Sequence, residues 1–343
     1  MNNEELLTHI KSELTNGHDV EFEHNINNIP FKIKLLAKNK ESEINIPSIL
    51  IIPLSKNVNN QIVLEANNLE SESLQDILKQ GMQTAIHLVE VTKEKPAPIV
   101  IPLIPSYKDK PYFQQLSKEC FDIFDDNENY RIDEQIVRII QKCRKTINEE
   151  TGIKVNDKIF LNGYSSSGVF AQRFALLHPE IVDTVCIGGA SGSMPLPIGN
   201  LSYPIGVSDY EQLTGKKFDF ESYVNIDFRY YVGELETQNK SETRFDENGN
   251  KAAMHDMSYF YKSVPKEVGQ KQRDLLGRDL FIRANNTVGV LRNMGINIEH
   301  KTIPGRSHSN INGVGVNELG DEFIARVYRE TIRKREIDDL YTR

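Results

Sequence analysis

Cysteine is scarce in this chain, with three residues in 343. Cys120, Cys143 and Cys186 lie far apart, at no spacing typical of metal ligands or of a redox pair. A sparse and odd set of thiols argues against a disulfide framework. The sequence therefore predicts free cysteines with buried packing roles in a reducing compartment.

Clustered positive charge is also missing. The 41 Lys and Arg residues are scattered among 49 Asp and Glu residues, and the net charge is −8. Without a basic stripe, neither nucleic acid nor an anionic membrane is expected as the main partner. A neutral or small-molecule partner fits this charge distribution better.

Long apolar runs are absent too. No stretch approaches the ~20 apolar residues that a membrane span requires. Residues 1–7 carry acidic side chains where a signal peptide has lysines, and no apolar segment follows them. We expect a soluble, cytoplasmic protein, although a secreted protein trimmed of its signal peptide has the same appearance; formation of a homo-oligomer is left open.

Short β-rich segments alternate with helical stretches, a pattern typical of a mostly parallel sheet with helices on both faces. Strands are predicted over 31–37, 48–54, 61–66, 99–104, 158–162, 184–188, 229–232 and 298–303. Helices are predicted over 72–90, 133–149, 168–177, 278–294 and 320–336, with Asp133 as a capping residue. The first two strands have no helix between them, so the sheet is expected to open with an antiparallel edge.

The fold class predicted from this rhythm is α/β, with eight strands in a mostly parallel sheet, helices on both faces and one domain over residues 1–343. Two long segments interrupt the rhythm, at about 191–226 and 239–277. Loops of this length inside a compact domain are usually functional or carry their own structure. We interpret them as inserted cap segments beyond the carboxyl ends of the strands, where they would choose the substrate.

Residues 158–178 are typical of a nucleophile elbow, in which a strand, a turn of small residues and a helix hold a serine at the turn. The positions two before and two after the serine must be small, since strand and helix pass each other there. Gly163 and Ser167 meet this demand around Ser165. The usual pattern ends in glycine, but here Ser167 takes that place and Gly168 is displaced by one.

The neighbouring serines fit the elbow less well. If Ser166 were the nucleophile, Tyr164 would occupy the first crowded position; if Ser167 were, Val169 would occupy the second. Ser165 is therefore the predicted nucleophile. A strand–turn–helix connection without catalysis has the same local pattern, so the prediction depends on finding a base and an acid.

A serine hydroxyl needs a histidine base, and on this layout the order along the chain is serine, acid, histidine. Four histidines follow Ser165. His178 ends the elbow helix, His255 lies in the charged insertion and His300 lies inside a predicted strand. His308 follows the last strand and a Pro-Gly turn, and we predict it to be the base. His308 and His300 lack the paired helical spacing of a zinc site, so neither a metal nor a cofactor is expected.

Two carboxylates follow the strand predicted over 229–232, namely Glu234 and Glu236. Glu236 is the better candidate for the acid because the Gly233 turn places it in the loop above the sheet, whereas Glu234 is still near the strand end. Glu234 is free to hydrogen-bond the turn instead. Two solvated loop glutamates remain the alternative.

The oxyanion of an acyl-transfer enzyme needs N–H donors, normally one from the residue after the nucleophile and one from the loop after the third strand. Ser166 supplies the first. The second is predicted at Asn68, where the strand over 61–66 stops at two asparagines that favour a turn.

With these residues the chain resembles serine esterases of the α/β-hydrolase superfamily over residues 45–335. It is similar, more narrowly, to bacterial esterases and lipases related to polyhydroxyalkanoate-depolymerase-like and feruloyl-esterase-like hydrolases. The segments that carry the resemblance are 65–68, 101–105, 131–135, 163–168, 174–180, 203–207, 233–236 and 304–308. Three departures stand out: Ser167 in place of the elbow glycine, Glu236 in place of an aspartate, and Ser106 after Pro105 where the resemblance implies an arginine.

The sequence predicts a cofactor-independent carboxylic-ester hydrolase in which Ser165 attacks, His308 is base and then acid, and Glu236 orients His308. An amide or peptide hydrolase on the same fold is the nearest alternative. A binding protein that keeps the fold without catalysis is the alternative from another class.

Overall fold

A computed structural model describes residues 3–68, 71–106, 113–122, 128, 130–236, 263–306, 308 and 318–341. Within these residues, nine strands form a mixed, mostly parallel sheet. The chain divides into two compact units, the first comprising residues 1–114 and 119–160 and the second residues 115–118 and 161–343. The prediction of a single domain with cap segments stays a prediction.

The first unit holds an antiparallel sheet edge. Its strands and helices are β1 (Val20–Ile26), β2 (Ile29–Leu36), β3 (Ser48–Pro53), β4 (Val63–Leu64), β5 (Ile99–Pro102), α1 (Asn3–Thr15), α2 (Leu74–Val91) and α3 (Ile132–Thr151). The strand order is β1-β2-β3-β5-β4, in which β4 and β5 pair in parallel and the other pairs are antiparallel. The first two predicted strands, over 31–37 and 48–54, correspond to β2 and β3, and their expected antiparallel pairing is confirmed, with Ile33 opposite Ile51.

Strand β1 raises the number of strands from the predicted eight to nine. Its burial alternates only weakly, and most of its side chains lie at the surface. A strand with little buried apolar surface leaves little period-2 signal in the sequence. The prediction of eight strands is therefore wrong by one exposed edge strand.

Helix α3 begins differently from the prediction. Its capping residue is Arg131, with φ at 48°, and Asp133 lies inside the first turn. The Asp133 carboxylate accepts hydrogen bonds from Arg131 Nε and Nη2 at 2.9 and 2.8 Å. Asp133 is thus an ion-pair partner of the cap residue, and its assignment as the cap is wrong.

The second unit carries the parallel half of the sheet. Its elements are β6 (Ile159–Tyr164, which begins in the first unit), β7 (Val182–Gly188), β8 (Asp227–Gly233), β9 (Ile298–Ile303), α4 (Ser166–Leu177), α5 (Tyr210–Thr214), α6 (Phe220–Val224), α7 (Lys266–Leu276), α8 (Leu280–Asn293) and α9 (Glu318–Tyr341). The order is β6-β7-β8-β9, and β8 pairs in parallel with both β7 and β9. Because parallel strands end at the same edge, the loops after β6, β7, β8 and β9 gather on one side of this unit.

The segment over 191–226 is built into the core of the second unit. Met194, Leu196, Tyr203 and Ile205 are buried. Arg283 on α8 is also buried, and its Nε–H donates a hydrogen bond to the Gly192 carbonyl at 2.6 Å. Of the other predicted insertion, residues 239–262 lie outside the described residues. In the part of the chain that the structure describes, none of the helices combines the length and apolar character needed to cross a membrane.

Candidate active site

Ser165 stands at the junction of β6 and α4 in a strained backbone conformation. Its φ is 54° and its ψ is −114°, a region that costs a non-glycine residue about 1–3 kcal/mol. The Ser165 N–H donates to the Gly188 carbonyl at the end of β7 at 2.9 Å, and the Ser165 carbonyl accepts from the Val169 N–H at 2.9 Å. These bonds hold the strained residue from both sides.

The two glycines beside this turn let the strand and helix approach closely. A Cβ on Gly163 would lie 2.4 Å from the Ser167 carbonyl oxygen, so no side chain fits there. A Cβ on Gly168 would lie 3.0 Å from the Ala190 side chain and 3.1 Å from that of Ile187. Gly168, the displaced glycine of the motif, thus allows α4 to pack closely against the end of β7.

Ser167, which replaces the elbow glycine, fastens the turn. Its hydroxyl accepts from the Tyr164 N–H at 2.8 Å and donates to the Tyr164 carbonyl at 2.9 Å. The hydroxyl therefore links the first turn of α4 to the last residue of β6. A serine here adds hydrogen bonds that a glycine lacks.

The structure brings three of the predicted site residues together. His308 Nε2 lies 2.8 Å from Ser165 Oγ, and His308 Nδ1 lies 3.0 Å from Glu236 Oε2. The Glu236 side chain is fully buried and that of His308 is 19% exposed. The other carboxylate oxygen, Oε1, accepts the Gly233 N–H at 3.0 Å, which orients the carboxylate.

Glu234 has a different position. It is exposed, and its Oε2 accepts the Gly305 N–H at 2.9 Å. Two backbone bonds join the same loops, from the Glu234 N–H to the Ile303 carbonyl at 3.0 Å and from the Leu235 N–H to the Arg306 carbonyl at 2.9 Å. Glu234 therefore braces the turn that precedes His308, whereas Glu236 contacts the imidazole.

The two predicted oxyanion donors are placed differently. Ser166 is the first residue of α4, where N–H groups point out of the helix end. Its hydroxyl accepts from Gln115 Nε2 at 2.9 Å. Asn68 belongs to the first unit, and its N–H, which the sequence assigns to the oxyanion, donates to Gln80 Oε1 at 2.7 Å.

The remaining sequence candidates lie elsewhere. His178 is buried at the end of α4, and His255 lies outside the described residues. Burial, assisted by the charge of Arg292, lowers the pKa of His300 to about 4, so this imidazole is neutral at physiological pH. Ser106 is buried and its N–H donates to the Ser71 carbonyl at 3.0 Å.

All three cysteines are free and buried, as the sequence predicts: Cys120, Cys143 and Cys186. Burial raises the pKa of the Cys143 thiol to about 12. A thiol with such a pKa is almost wholly protonated at neutral pH, and it is not a nucleophile.

Sequence reasoning missed two residues that contact the site. Gln115 bonds the hydroxyl of Ser166, and the ring of Tyr164 stacks on the His308 imidazole with centroids 5.1 Å apart. No sequence pattern marks Gln115. The position of Tyr164 immediately before the nucleophile is the one signal that places its side chain near the active edge of the sheet.

Comparisons with known proteins find structural likeness only. No family model matches the chain, and no significantly similar curated protein was found. The poly(aspartic acid) hydrolase-1 from Sphingomonas sp. KT-1 has a similar structure with a TM-score of 0.50 and 14% identity, covering 91% of this chain and 97% of its own. A poly(3-hydroxybutyrate) depolymerase from Bordetella parapertussis has a TM-score of 0.46 and 12% identity, covering 95% and 97%. An S-formylglutathione hydrolase from Agrobacterium tumefaciens has a TM-score of 0.47 and 11% identity, covering 90% and 97%.

At these identities the likeness concerns the fold alone. The mixed nine-stranded sheet, the serine at a positive φ between a strand and a helix, and the loops that follow the parallel strands are the features of that fold. The chain has the α/β-hydrolase fold.

Proposed function

We propose that this protein is a serine hydrolase that cleaves carboxylic esters through an acyl-enzyme, with Ser165, His308 and Glu236 as its triad. The observation that carries the proposal is the continuous hydrogen-bonded row from Ser165 Oγ to His308 Nε2 at 2.8 Å and from His308 Nδ1 to Glu236 Oε2 at 3.0 Å. The row begins at a strained elbow, which exposes the nucleophile in this fold.

In the acylation step, Ser165 Oγ attacks the ester carbonyl carbon while His308 Nε2 accepts the hydroxyl proton. The buried Glu236 carboxylate accepts the Nδ1–H and stabilises the imidazolium that forms. The tetrahedral intermediate then breaks the carbon–oxygen bond to the alcohol, and His308 gives its proton to the departing alkoxide. The products are free alcohol and an ester of Ser165.

In the deacylation step, His308 takes a proton from water as the water attacks the acyl carbon, and Ser165 leaves with that proton. The developing oxyanion is assigned to the Ser166 N–H, at the helix terminus that carries partial positive charge. Gln115 supports this assignment because its amide fixes the Ser166 hydroxyl at 2.9 Å. Asn68 stays a prediction as the second donor, since its N–H would have to exchange Gln80 for the oxyanion.

The test is the hydrolysis of matched esters and amides. Wild-type protein, Ser165→Ala and Ser208→Ala are assayed with p-nitrophenyl acetate and with p-nitroacetanilide; Ser208 is an exposed serine of the same unit. We expect a burst of p-nitrophenol followed by steady turnover in the wild type and in Ser208→Ala, and neither in Ser165→Ala. The anilide is expected to react much more slowly because its leaving group is poorer.

Each other result contradicts part of the proposal. Faster cleavage of the anilide would favour an amide hydrolase. Equal turnover by Ser165→Ala would reject the nucleophile. The absence of turnover with every ester tried, together with the absence of covalent labelling at Ser165, would favour a binding protein that keeps the fold.

A further inference from the structure

The side chain of Tyr164 contacts His308 in two ways. Its ring stacks on the imidazole with centroids 5.1 Å apart and ring planes 20° apart. Its hydroxyl donates a hydrogen bond to the His308 backbone carbonyl. One side chain thus restrains both the ring and the backbone of the same residue.

The backbone of Tyr164 is itself fixed by the elbow. Its N–H and carbonyl both bond the Ser167 hydroxyl, at 2.8 and 2.9 Å. Because Tyr164 directly precedes Ser165, one rigid turn carries the nucleophile and also the ring that meets the base. The ring that contacts His308 and the hydroxyl of Ser165 therefore belong to adjacent residues, so one peptide unit sets their separation.

The neighbours of Tyr164 leave little room for another arrangement. A Cβ on Gly189, whose φ is +62°, would lie 2.9 Å from His308 Cε1 and Nδ1 and 2.9 Å from Tyr164 Cε2. The ring of Tyr231 stacks with that of Tyr164 at a centroid distance of 6.4 Å. The glycine makes space for the imidazole and the tyrosine ring, and Tyr231 restrains the latter.

The hydroxyl of Tyr164 keeps its proton under working conditions. Burial, and then the nearby negative charge of Glu236, raise the pKa of Tyr164 well above its usual value. A protonated phenol is a hydrogen-bond donor, as its contact with the His308 carbonyl requires.

We propose that Tyr164 is a positioning residue for His308: its ring fixes the plane of the imidazole and its hydroxyl fixes the loop, so that Nε2 stays aligned with Ser165 Oγ. The catalytic consequence rests on the proposed function, since an aligned base matters only where Ser165 is the nucleophile. The placement of the imidazole does not depend on any reaction and is measurable without a substrate.

The kinetic test compares Tyr164→Leu, which loses both contacts, with Tyr164→Phe, which keeps the ring. Tyr210→Phe is the matched control, because Tyr210 is also buried and donates its hydroxyl to a backbone carbonyl, that of Leu177, at 2.9 Å. A misplaced base lowers kcat by up to about 10²-fold. We therefore expect Tyr164→Leu to lose about 10–100-fold in kcat on p-nitrophenyl acetate with little change in KM. Tyr164→Phe, which loses only the hydrogen bond to the loop, should lose about 2–10-fold, and the control should match the wild type.

The substrate-free test uses the imidazole Cε1–H signal of His308 in protein labelled with ¹³C-histidine, assigned by its loss in His308→Ala. A stacked aromatic ring shields the protons that face it. The signal is expected to move when Tyr164 becomes leucine and to stay near its wild-type position when it becomes phenylalanine. Thermal unfolding of each variant verifies that it is folded. If Tyr164→Leu does not fold, kcat of Tyr164→Phe decides: a value below that of Tyr210→Phe supports the positioning role, and an equal value overturns it.

The positioning role is overturned if folded Tyr164→Leu keeps the wild-type His308 signal, or if it keeps the wild-type kcat. If the wild type hydrolyses no ester while the His308 signal moves as expected, the proposed function fails and the stacking contact of Tyr164 with His308 stands. The two failures are thereby distinguished.

Discussion

Replacement of Glu236 by glutamine is expected to move the proton of the neutral His308 imidazole from Nδ1 to Nε2. The cause is the backbone N–H of Gly233, which fixes the orientation of the new amide. In the wild type, Oε1 accepts the Gly233 N–H at 3.0 Å and Oε2 faces His308 Nδ1 at 3.0 Å. A glutamine has only one acceptor oxygen on this amide, and the Gly233 N–H cannot reverse its role. The amide oxygen will therefore face Gly233, and the NH₂ group will face Nδ1. An imidazole that accepts at Nδ1 carries its proton on Nε2, where it cannot accept the proton of Ser165.

The magnitude follows from two costs. To restore the productive tautomer, the amide must flip and leave the buried Gly233 N–H against another donor, at about 1–3 kcal/mol. The imidazolium also loses its charge-assisted hydrogen bond with Glu236, at about 1.5–3 kcal/mol. The sum is about 2.5–6 kcal/mol, which corresponds to a loss of about 10²–10⁴ in kcat.

Glu234→Gln is the matched control. Glu234 is exposed and accepts the Gly305 N–H at 2.9 Å, and a glutamine oxygen can accept the same bond. An exposed substitution of this kind changes the energy by at most about 0.5 kcal/mol, so kcat should stay within about twofold of the wild type. Steady-state kinetics on p-nitrophenyl acetate measure both variants. Equal losses, or a larger loss in Glu234→Gln, would refute the assignment of the acid.

Three further predictions concern pH, packing and thiols. We expect kcat/KM to rise with pH through one ionisation, because the base must be neutral, and His308→Ala to lose both this dependence and most of the activity. EDTA should leave the wild-type pH profile unchanged, and abolition of turnover by EDTA would contradict the account. We expect Gly163→Ala to lower the free energy of unfolding by about 1–3 kcal/mol or more, since the new Cβ would lie 2.4 Å from the Ser167 carbonyl oxygen. Gly289→Ala, on an exposed face of α8 where an added Cβ meets no atom outside the local helix backbone within 4 Å, should raise it by about 0.5–1 kcal/mol. Urea unfolding measures both changes, and a stability of Gly163→Ala equal to the wild type would contradict the packing of the elbow. Ellman's reagent should find no reactive thiol in the folded protein and three after unfolding in guanidinium, because all three cysteines are buried. For Cys143, burial raises the pKa to about 12, which leaves only about one thiolate in 10⁴ at about pH 8. Rapid reaction of the native protein would contradict the burial of the thiols.

Much of the fold could be predicted from local patterns. Strands that are buried along their length, such as β3 over Ser48–Pro53, lie close to the predicted bounds of 48–54 because apolar and β-branched residues concentrate there. The exposed strand β1 was missed because its stability comes from hydrogen bonds to β2 more than from burial. The cap of α3 was misassigned because Arg131 takes a positive φ, which sequence propensity does not favour.

The candidate site was predictable where chemistry restricts residue type and order. Ser165, Glu236 and His308 follow the order that the fold imposes, and the small residues around Ser165 select it among three adjacent serines. Contacts that depend on tertiary packing were not predictable. The stacking of Tyr164 on His308 joins residues 144 positions apart, and no local pattern encodes such a pair.

The central claim is that His308 and Glu236 make Ser165 a nucleophile. Its most direct test is the reaction of the protein with a fluorophosphonate probe, followed by peptide mapping, in wild type, Ser165→Ala and His308→Ala. An activated serine reacts readily and an ordinary one does not. We predict labelling at Ser165 alone in the wild type, no labelling in Ser165→Ala and strongly slowed labelling in His308→Ala. Labelling that persists in Ser165→Ala, or that proceeds at the wild-type rate without His308, would contradict the account.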